Sequence, residues 1–164
     1  MIWYRDWFFY STVIVIFGVD QVSKEVIRRQ LPLYGSWPEE GFLRIVHGLN
    51  TGSAFGLFSG FTNILIIASI VGIGVVLYYF QQQAISVIWY RLSIGLIVGG
   101  ALGNLADRLK DGAVVDFIRV GWWPAFNVAD SSISVGMVLL IITLLFGERF
   151  GWIATSDESR PDDS

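Results

Sequence analysis

Four stretches of the chain are predominantly apolar over nearly the length that a membrane-spanning helix needs. Such a helix takes about 20 residues to cross the bilayer core. The four stretches cover residues 3–22, 61–80, 90–106 and 131–147. The second has no charged residue and ends in Tyr78, Tyr79 and Phe80, aromatic side chains suited to a membrane interface. The pattern predicts four transmembrane helices.

Two longer segments separate these helices on one side of the membrane. Residues 25–60 contain Pro32, Pro38 and an alternating FLRIV run at 42–46, a pattern typical of a short strand. Residues 107–130 contain Gly112, Gly121 and Pro124, so we expect an active-site loop with little continuous helix. Both termini then lie on the other side. The predicted fold is an all-α membrane protein, with four transmembrane helices and a small β-containing cap.

The domain boundaries follow from the same pattern. Residues 1–154 form a single membrane domain that includes the surface cap at 25–60 and the loop at 107–130. Residues 155–164 are rich in aspartate and serine, a composition typical of a disordered acidic tail.

The composition supports a membrane protein and excludes several chemistries. Hydrophobic residues make up 54% of the 164 residues and charged residues 15%, which is too apolar for an ordinary soluble domain. There is no cysteine, His47 is the only histidine, and no HExxH motif is present, so we expect neither a metal site nor a cofactor. The net charge of −3 argues against a nucleic-acid partner.

Polar residues, which are costly near a bilayer, gather at one end of three predicted helices. DQVSK at 20–24 closes the first helix, NLADR at 104–108 closes the third, and NVAD at 127–130 opens the fourth. The first and third helices run in the same direction and the fourth runs opposite. We therefore expect the three groups to meet at one membrane face, together with NTGSAFG at 50–56.

Each polar group also has a structural interpretation. Asp20 and Lys24 are four residues apart and can form an ordinary ion pair on one helix. Asp107 and Arg108 can be an interfacial charge pair that anchors the third helix. The asparagines can satisfy irregular backbone or hold the backbone of a substrate, and the sequence leaves both roles open. Gly95, Gly99 and Gly103 form small-xxx-small repeats, which predict close helix packing.

Asp116 and Asp130 have unlike surroundings. Asp116 lies between two valines and Phe117-Ile118, and this apolar setting disfavours its charged form and pushes its pKa upward. Asp130 lies at the first turn of the fourth helix, where the helix dipole and free N–H groups favour a carboxylate; alone, it is also a plausible helix N-cap. Two carboxyl groups in such different environments are typical of an acid and base pair.

Five motifs, in this order, resemble those of the lipoprotein signal peptidases, the type II signal peptidases of bacterial membranes. They are DQVSK at 20–24, NTGSAFG at 50–56, GGALGNLADR at 99–108, VVDFI at 114–118 and FNVAD at 126–130. The resemblance implies an aspartic endopeptidase that removes the signal peptide from diacylglyceryl-modified prolipoproteins, with two aspartates activating a water and no cofactor.

The resemblance also implies the site. The catalytic dyad maps to Asp116 and Asp130. The supporting or substrate-binding positions are Asn50, Gly52, Asn104, Arg108, Asn127, Asp20, Lys24 and Ala129. The implied partners are prolipoprotein substrates and membrane lipid, and we expect a monomer.

The location that the resemblance implies is the bacterial inner membrane, with both termini cytoplasmic, the active site at the outer leaflet and the β-containing cap extracytoplasmic. The positive-inside rule disagrees, because seven lysines and arginines lie on the side of the long loops and four on the side of the termini. We follow the motifs. The alternatives are a small transporter or channel subunit, for which polar residues in mid-span would be expected, and a non-catalytic scaffold, which leaves Asp116 unexplained.

Overall fold

The computed structural model describes residues 6–52, 61–82, 87–147 and 149. Within them the order of elements is α1 (Trp7–Gln30), β1 (Ser36–Trp37), β2 (Leu43–Asn50), α2 (Phe61–Gln82), α3 (Ile88–Asp111), β3 (Val114–Val120) and α4 (Val128–Phe146). The acidic tail predicted at 155–164 lies outside the described residues.

Helices dominate the described chain, as predicted. By length and composition, three of them (α2, α3 and α4) are apolar enough to cross a membrane. In α2 most large apolar side chains are exposed, including Ile67, Val71 and Val75, which is the pattern of a surface that faces lipid rather than a protein core.

Helix α3 occupies the centre of the helical part and contacts the other three helices. Its glycines permit this. A Cβ atom on Gly95 would lie 2.8 Å from the side chain of Thr12, and one on Gly99 would lie 2.9 Å from that of Ile16, both on α1. The predicted role of these repeats in close helix packing is confirmed.

The helices are longer than the predicted spans at the end where the polar residues gather. Helix α1 continues to Gln30 and α3 to Asp111. The extension of α1 beyond the predicted span buries Lys24 and Ile27. The basic residues Arg28 and Arg29 in its last turn interact favourably with the negative end of the helix dipole. The prediction that the surface cap begins near residue 25 was therefore wrong, because those residues are still helical.

The three strands form one antiparallel sheet in the order β1-β2-β3. Strand β2 belongs to the predicted cap, whereas β3 lies in the segment predicted to be a loop. The prediction of a loop around Asp116 was wrong: apolar side chains on both faces of β3 are buried, and the strand pairs with β2. The sheet packs on the ends of α1 and α4 through a core of Ile27, Val115, Phe117, Ile45, Ile118 and Val128.

Candidate active site

Strand pairing brings Asp116 to Asn50. Gly48 lies opposite Asp116, and the register between β2 and β3 shifts between Ile45 and Gly48. Because side chains two residues apart share a face of the sheet, Asn50 lies diagonally across from Asp116. The Asn50 Nδ2 atom donates a hydrogen bond of 2.9 Å to Asp116 Oδ2.

The start of α4 positions Asn127 and Asp130. Asn127 is the N-cap residue, and its Oδ1 atom accepts a hydrogen bond of 2.9 Å from the Asp130 backbone N–H. The Asp130 Oδ2 atom accepts one of 3.2 Å from the Asn127 backbone N–H, which completes a capping box. The expected first-turn position of Asp130 is confirmed, while its alternative as the N-cap was wrong because the helix begins earlier.

Asn127 contacts both carboxyl groups. Its Nδ2 atom donates to Asp116 Oδ1 over 2.8 Å, while its backbone N–H holds Asp130. The segment that precedes Asn127 is hydrogen-bonded to β3, since the backbone N–H groups of Phe117 and Ile118 both donate to the Phe126 carbonyl. Asn127 is fully buried. One buried asparagine therefore joins the strand that carries Asp116 to the helix that carries Asp130.

Asn104 supports this arrangement from α3. Its Nδ2 atom donates to Asp130 Oδ1 over 2.8 Å. Its Oδ1 atom accepts hydrogen bonds from Lys24 Nζ (3.0 Å) and from Asn127 Nδ2 (3.2 Å). Asn104 therefore links the carboxyl group of Asp130 to α1.

A buried ion-pair group lies beneath the asparagines. Lys24 is fully buried, and its Nζ atom lies 2.8 Å from Asp20 Oδ2 and 3.1 Å from Asp107 Oδ2. Asp20 Oδ1 accepts a hydrogen bond of 3.0 Å from the Ala129 backbone N–H in the first turn of α4. Two carboxylates and the hydrogen bond to Asn104 compensate the buried ammonium group, as a charge removed from water requires.

The electrostatic environment of Asp116 favours a carboxyl group that can hold a proton. Burial raises the pKa of Asp116 to about 6, and the negative charge of Asp130 acts in the same direction. The hydrogen bonds from Asn50 and Asn127, and the more distant charge of Lys24, lower this pKa. The upward shift predicted from the apolar neighbours of Asp116 is confirmed, with desolvation as its main cause.

Comparison with known proteins identifies the family. The sequence profile of the Signal peptidase (SPase) II family matches residues 12–146. This chain belongs to the signal peptidase II family.

Relatives of this chain carry consistent names. A lipoprotein signal peptidase of Dehalococcoides mccartyi is 42% identical over 139 residues, which cover 82% of this chain and 86% of that relative. One of Syntrophomonas wolfei is 41% identical over 144 residues, covering 86% of this chain and 95% of the relative. One of Mycobacterium bovis is 36% identical over 152 residues, covering 85% of this chain and 72% of the relative.

Two solved structures share the fold of this chain. Both are described as bacterial membrane enzymes studied by the in meso method. The first superposes with a TM-score of 0.76 at 35% identity and covers 84% of this chain and 92% of its own. The second has a TM-score of 0.75 at 32% identity and covers 90% of this chain and 93% of its own. The chain is therefore a peptidase with the architecture of a membrane enzyme.

The fold of this chain brings the predicted site residues together. Gly52 donates its backbone N–H to Asn50 Oδ1 over 2.8 Å and has a φ of +78°, a conformation that favours glycine. Arg108 on α3 interacts electrostatically with the carboxyl groups of Asp116 and Asp130, and its Nη1 atom lies 3.5 Å from the Asn104 carbonyl oxygen. The predicted motif residues 53–56 lie outside the described residues.

Sequence reasoning missed the contacts of two residues in this chain. Asp107 pairs with Lys24 and Arg28, and its Oδ2 atom also accepts a hydrogen bond of 3.3 Å from the Val115 backbone N–H. Its interpretation as a pair with Arg108 was wrong. Gln21 donates to Asp20, Asp107 and the Gly103 carbonyl. The position of Asp107 one helical turn after Asn104 was the available signal.

Proposed function

We propose that this chain cleaves the signal peptide from diacylglyceryl-modified prolipoproteins, with Asp116 and Asp130 as its catalytic dyad. One observation carries the proposal. A single buried asparagine, Asn127, holds the two carboxyl groups, and the charge of Asp130 acts on Asp116. Membership of the signal peptidase II family makes the chain a hydrolase, and its relatives are named lipoprotein signal peptidases.

The chemistry follows from two carboxyl groups that share one proton. The ionised group accepts a proton from a water molecule as the water oxygen attacks the scissile carbonyl carbon. The protonated group donates to the carbonyl oxygen as negative charge develops there. When the intermediate collapses, the C–N bond breaks and the nitrogen leaves as an amine with the proton taken from the water. One hydroxyl group of the intermediate returns its proton to the other carboxylate, which leaves a carboxylic acid product and restores the shared proton.

The remaining polar residues hold the dyad and the substrate. Asn50 and Gly52 orient Asp116, while Asn104 orients Asp130. Asp20, Lys24 and the Ala129 backbone fix the start of α4. The Arg108 Nε atom is buried without a hydrogen-bond partner, and the guanidinium group has five donors that suit a substrate carbonyl.

Membrane placement completes the proposal. We propose that α1 is the fourth transmembrane helix, since it packs against two of the three apolar spans, α3 and α4. The enzyme then lies in the bacterial inner membrane as a monomer, with both termini cytoplasmic and the dyad at the outer leaflet. A substrate whose cysteine carries a diacylglyceryl group stays at the bilayer surface, where this end of the helices lies.

The dyad is tested by Asp116→Asn and Asp130→Asn in the full chain. We expect each variant to fold and insert and to lose cleavage by several orders of magnitude, because an amide can neither accept the proton of water nor supply one. The measurement is the rate of cleavage of a purified diacylglyceryl-modified prolipoprotein, with thermal unfolding as the check of folding.

Asp111→Asn is the matched control, because Asp111 is an exposed aspartate on α3 that pairs with Arg28 outside the dyad. It should retain the wild-type rate. Wild-type turnover by either dyad variant would contradict the proposal. An unmodified prolipoprotein should not be cleaved, and a chain that cleaved neither substrate would favour the transporter or the scaffold alternative.

A further inference from the structure

Two arginines on adjacent strands of the sheet form a cross-strand pair, and the pair lies further along these strands than Asp116 of the dyad. Arg44 of β2 is paired in register with Arg119 of β3, and Ile45 is paired with Ile118 next to them. Ile45 and Ile118 pack on the core beneath the sheet. Because residues paired directly across two strands point to the same face, Arg44 and Arg119 share the face opposite to Ile45 and Ile118, and both side chains are half-buried.

This arginine pair, Arg44 and Arg119, lacks an acidic partner among the residues that the structure describes. Among the ion pairs that join described residues, none involves either arginine. Arg44 Nη1 donates to the backbone carbonyl of Glu39 over 3.3 Å, and Arg44 Nε is buried without a hydrogen-bond partner. Like charges directly opposite each other destabilise a sheet, so the pair favours a ligand with negative charge.

Exposed aromatic residues adjoin the arginine pair. The backbone N–H of Gly121, two residues after Arg119, donates to the carbonyl of Phe42, two residues before Arg44. Phe42 is 74% exposed and Trp122 is 88% exposed. Tryptophan and other aromatic side chains prefer the membrane–water interface. The arginine pair therefore lies at the depth of the lipid headgroups when these side chains contact the bilayer.

We propose that the arginine pair binds the headgroup phosphate of an anionic phospholipid in the leaflet on the side of the sheet. A guanidinium group presents parallel N–H donors that match two oxygens of a phosphate. Two such groups on one face can share a single phosphate, which offsets their mutual repulsion. The site goes beyond the proposed cleavage and does not depend on the dyad.

The test titrates the purified full chain in detergent with phosphatidylglycerol and measures bound lipid by native mass spectrometry. We expect Arg44→Gln and Arg119→Gln each to weaken binding about fivefold and the double variant about 25-fold, from the attraction of one cation to an anionic headgroup. Arg44→Lys/Arg119→Lys should bind less tightly than the wild type, since an ammonium group cannot donate two parallel hydrogen bonds.

Three comparisons make the result decisive. Arg29→Gln should bind like the wild type, because Arg29 pairs with Glu25 on an exposed part of α1. Asp116→Asn should also bind like the wild type, so that failure of the dyad and failure of this site are distinguishable. Excess inorganic phosphate should not displace the lipid, and displacement would make free phosphate the ligand and overturn the proposal. Wild-type affinity in the double glutamine or double lysine variant would also overturn it.

Discussion

At the scale of the residue, amides rather than cations hold both carboxyl groups of the site. Asn50 and Asn127 donate to Asp116, and Asn104 donates to Asp130. The buried ammonium of Lys24 pairs instead with other carboxylates and donates a hydrogen bond to Asn104, which in turn donates to Asp130. A cation in direct contact would lower the pKa of a carboxyl group by about 1–3 units. Amide donors leave Asp116 able to take up a proton near pH 6.

The pH dependence of cleavage tests this arrangement. The mechanism needs one protonated and one ionised carboxyl group. Above pH about 6 the pair loses its shared proton, so kcat/KM should fall on the alkaline side with an apparent pKa that belongs to the pair. Asn50→Val removes a hydrogen bond that favours the charged form of Asp116. We therefore expect the pKa of Asp116 to rise and the alkaline limb of the profile to move to higher pH.

The comparison for this profile is Asn63→Val, which changes an exposed asparagine on α2 and should leave the limb where it is in the wild type. A limb that stayed unchanged in Asn50→Val, or moved to lower pH, would show that this hydrogen bond does not control the titration.

At the scale of the element, small residues on α3 decide how closely the functional groups approach. A Cβ atom on Gly103 would overlap Asp20 Oδ2 on α1, and one on Gly100 would overlap Ser132 Oγ on α4. The carboxylate of Asp20 also holds the Ala129 backbone N–H at the start of α4. Close packing of α3 against α1 is thus coupled to the placement of Asp130.

Gly103→Ala should displace Asp20 and lose both cleavage and stability. Overpacking of this kind costs about 1–3 kcal/mol. The measurements are thermal unfolding in detergent and the cleavage rate of the lipidated substrate. In Gly74→Ala, by contrast, the new methyl group meets nothing within 4 Å, so this α2 variant should cleave normally and be as stable as the wild type or slightly more. Equal behaviour of the two variants would exclude a steric role for Gly103.

At the scale of the whole molecule, the sheet and the dyad lie at the same end of the helices, and the proposed topology assigns that end to the outer leaflet. The count of lysines and arginines opposes this assignment. Three of the cations counted on that side, Lys24, Arg28 and Arg29, are ion-paired with acids of the same helix ends. Their charges are therefore engaged within folded elements, which supports following the motifs.

The absence of native cysteine makes the topology directly testable. Trp122→Cys places the only thiol beside the sheet, and Arg149→Cys places it just beyond α4, both at exposed positions. We expect a membrane-impermeant maleimide to label Trp122→Cys in spheroplasts and to label Arg149→Cys only after lysis. The reverse pattern would place the dyad on the cytoplasmic side.

The sequence alone determined the apolar spans, the glycine packing of α3, the apolar setting of Asp116 and the common face at which the polar motifs meet. These depend on local composition and helical spacing. Tertiary structure decided that Asp116 lies in a strand, that Asn127 joins both carboxyl groups, and that Asp107 pairs with Lys24. Those contacts depend on the pairing of β2 with β3 and on side chains from distant parts of the chain, whose register and partners appear only when the helices and the sheet pack together.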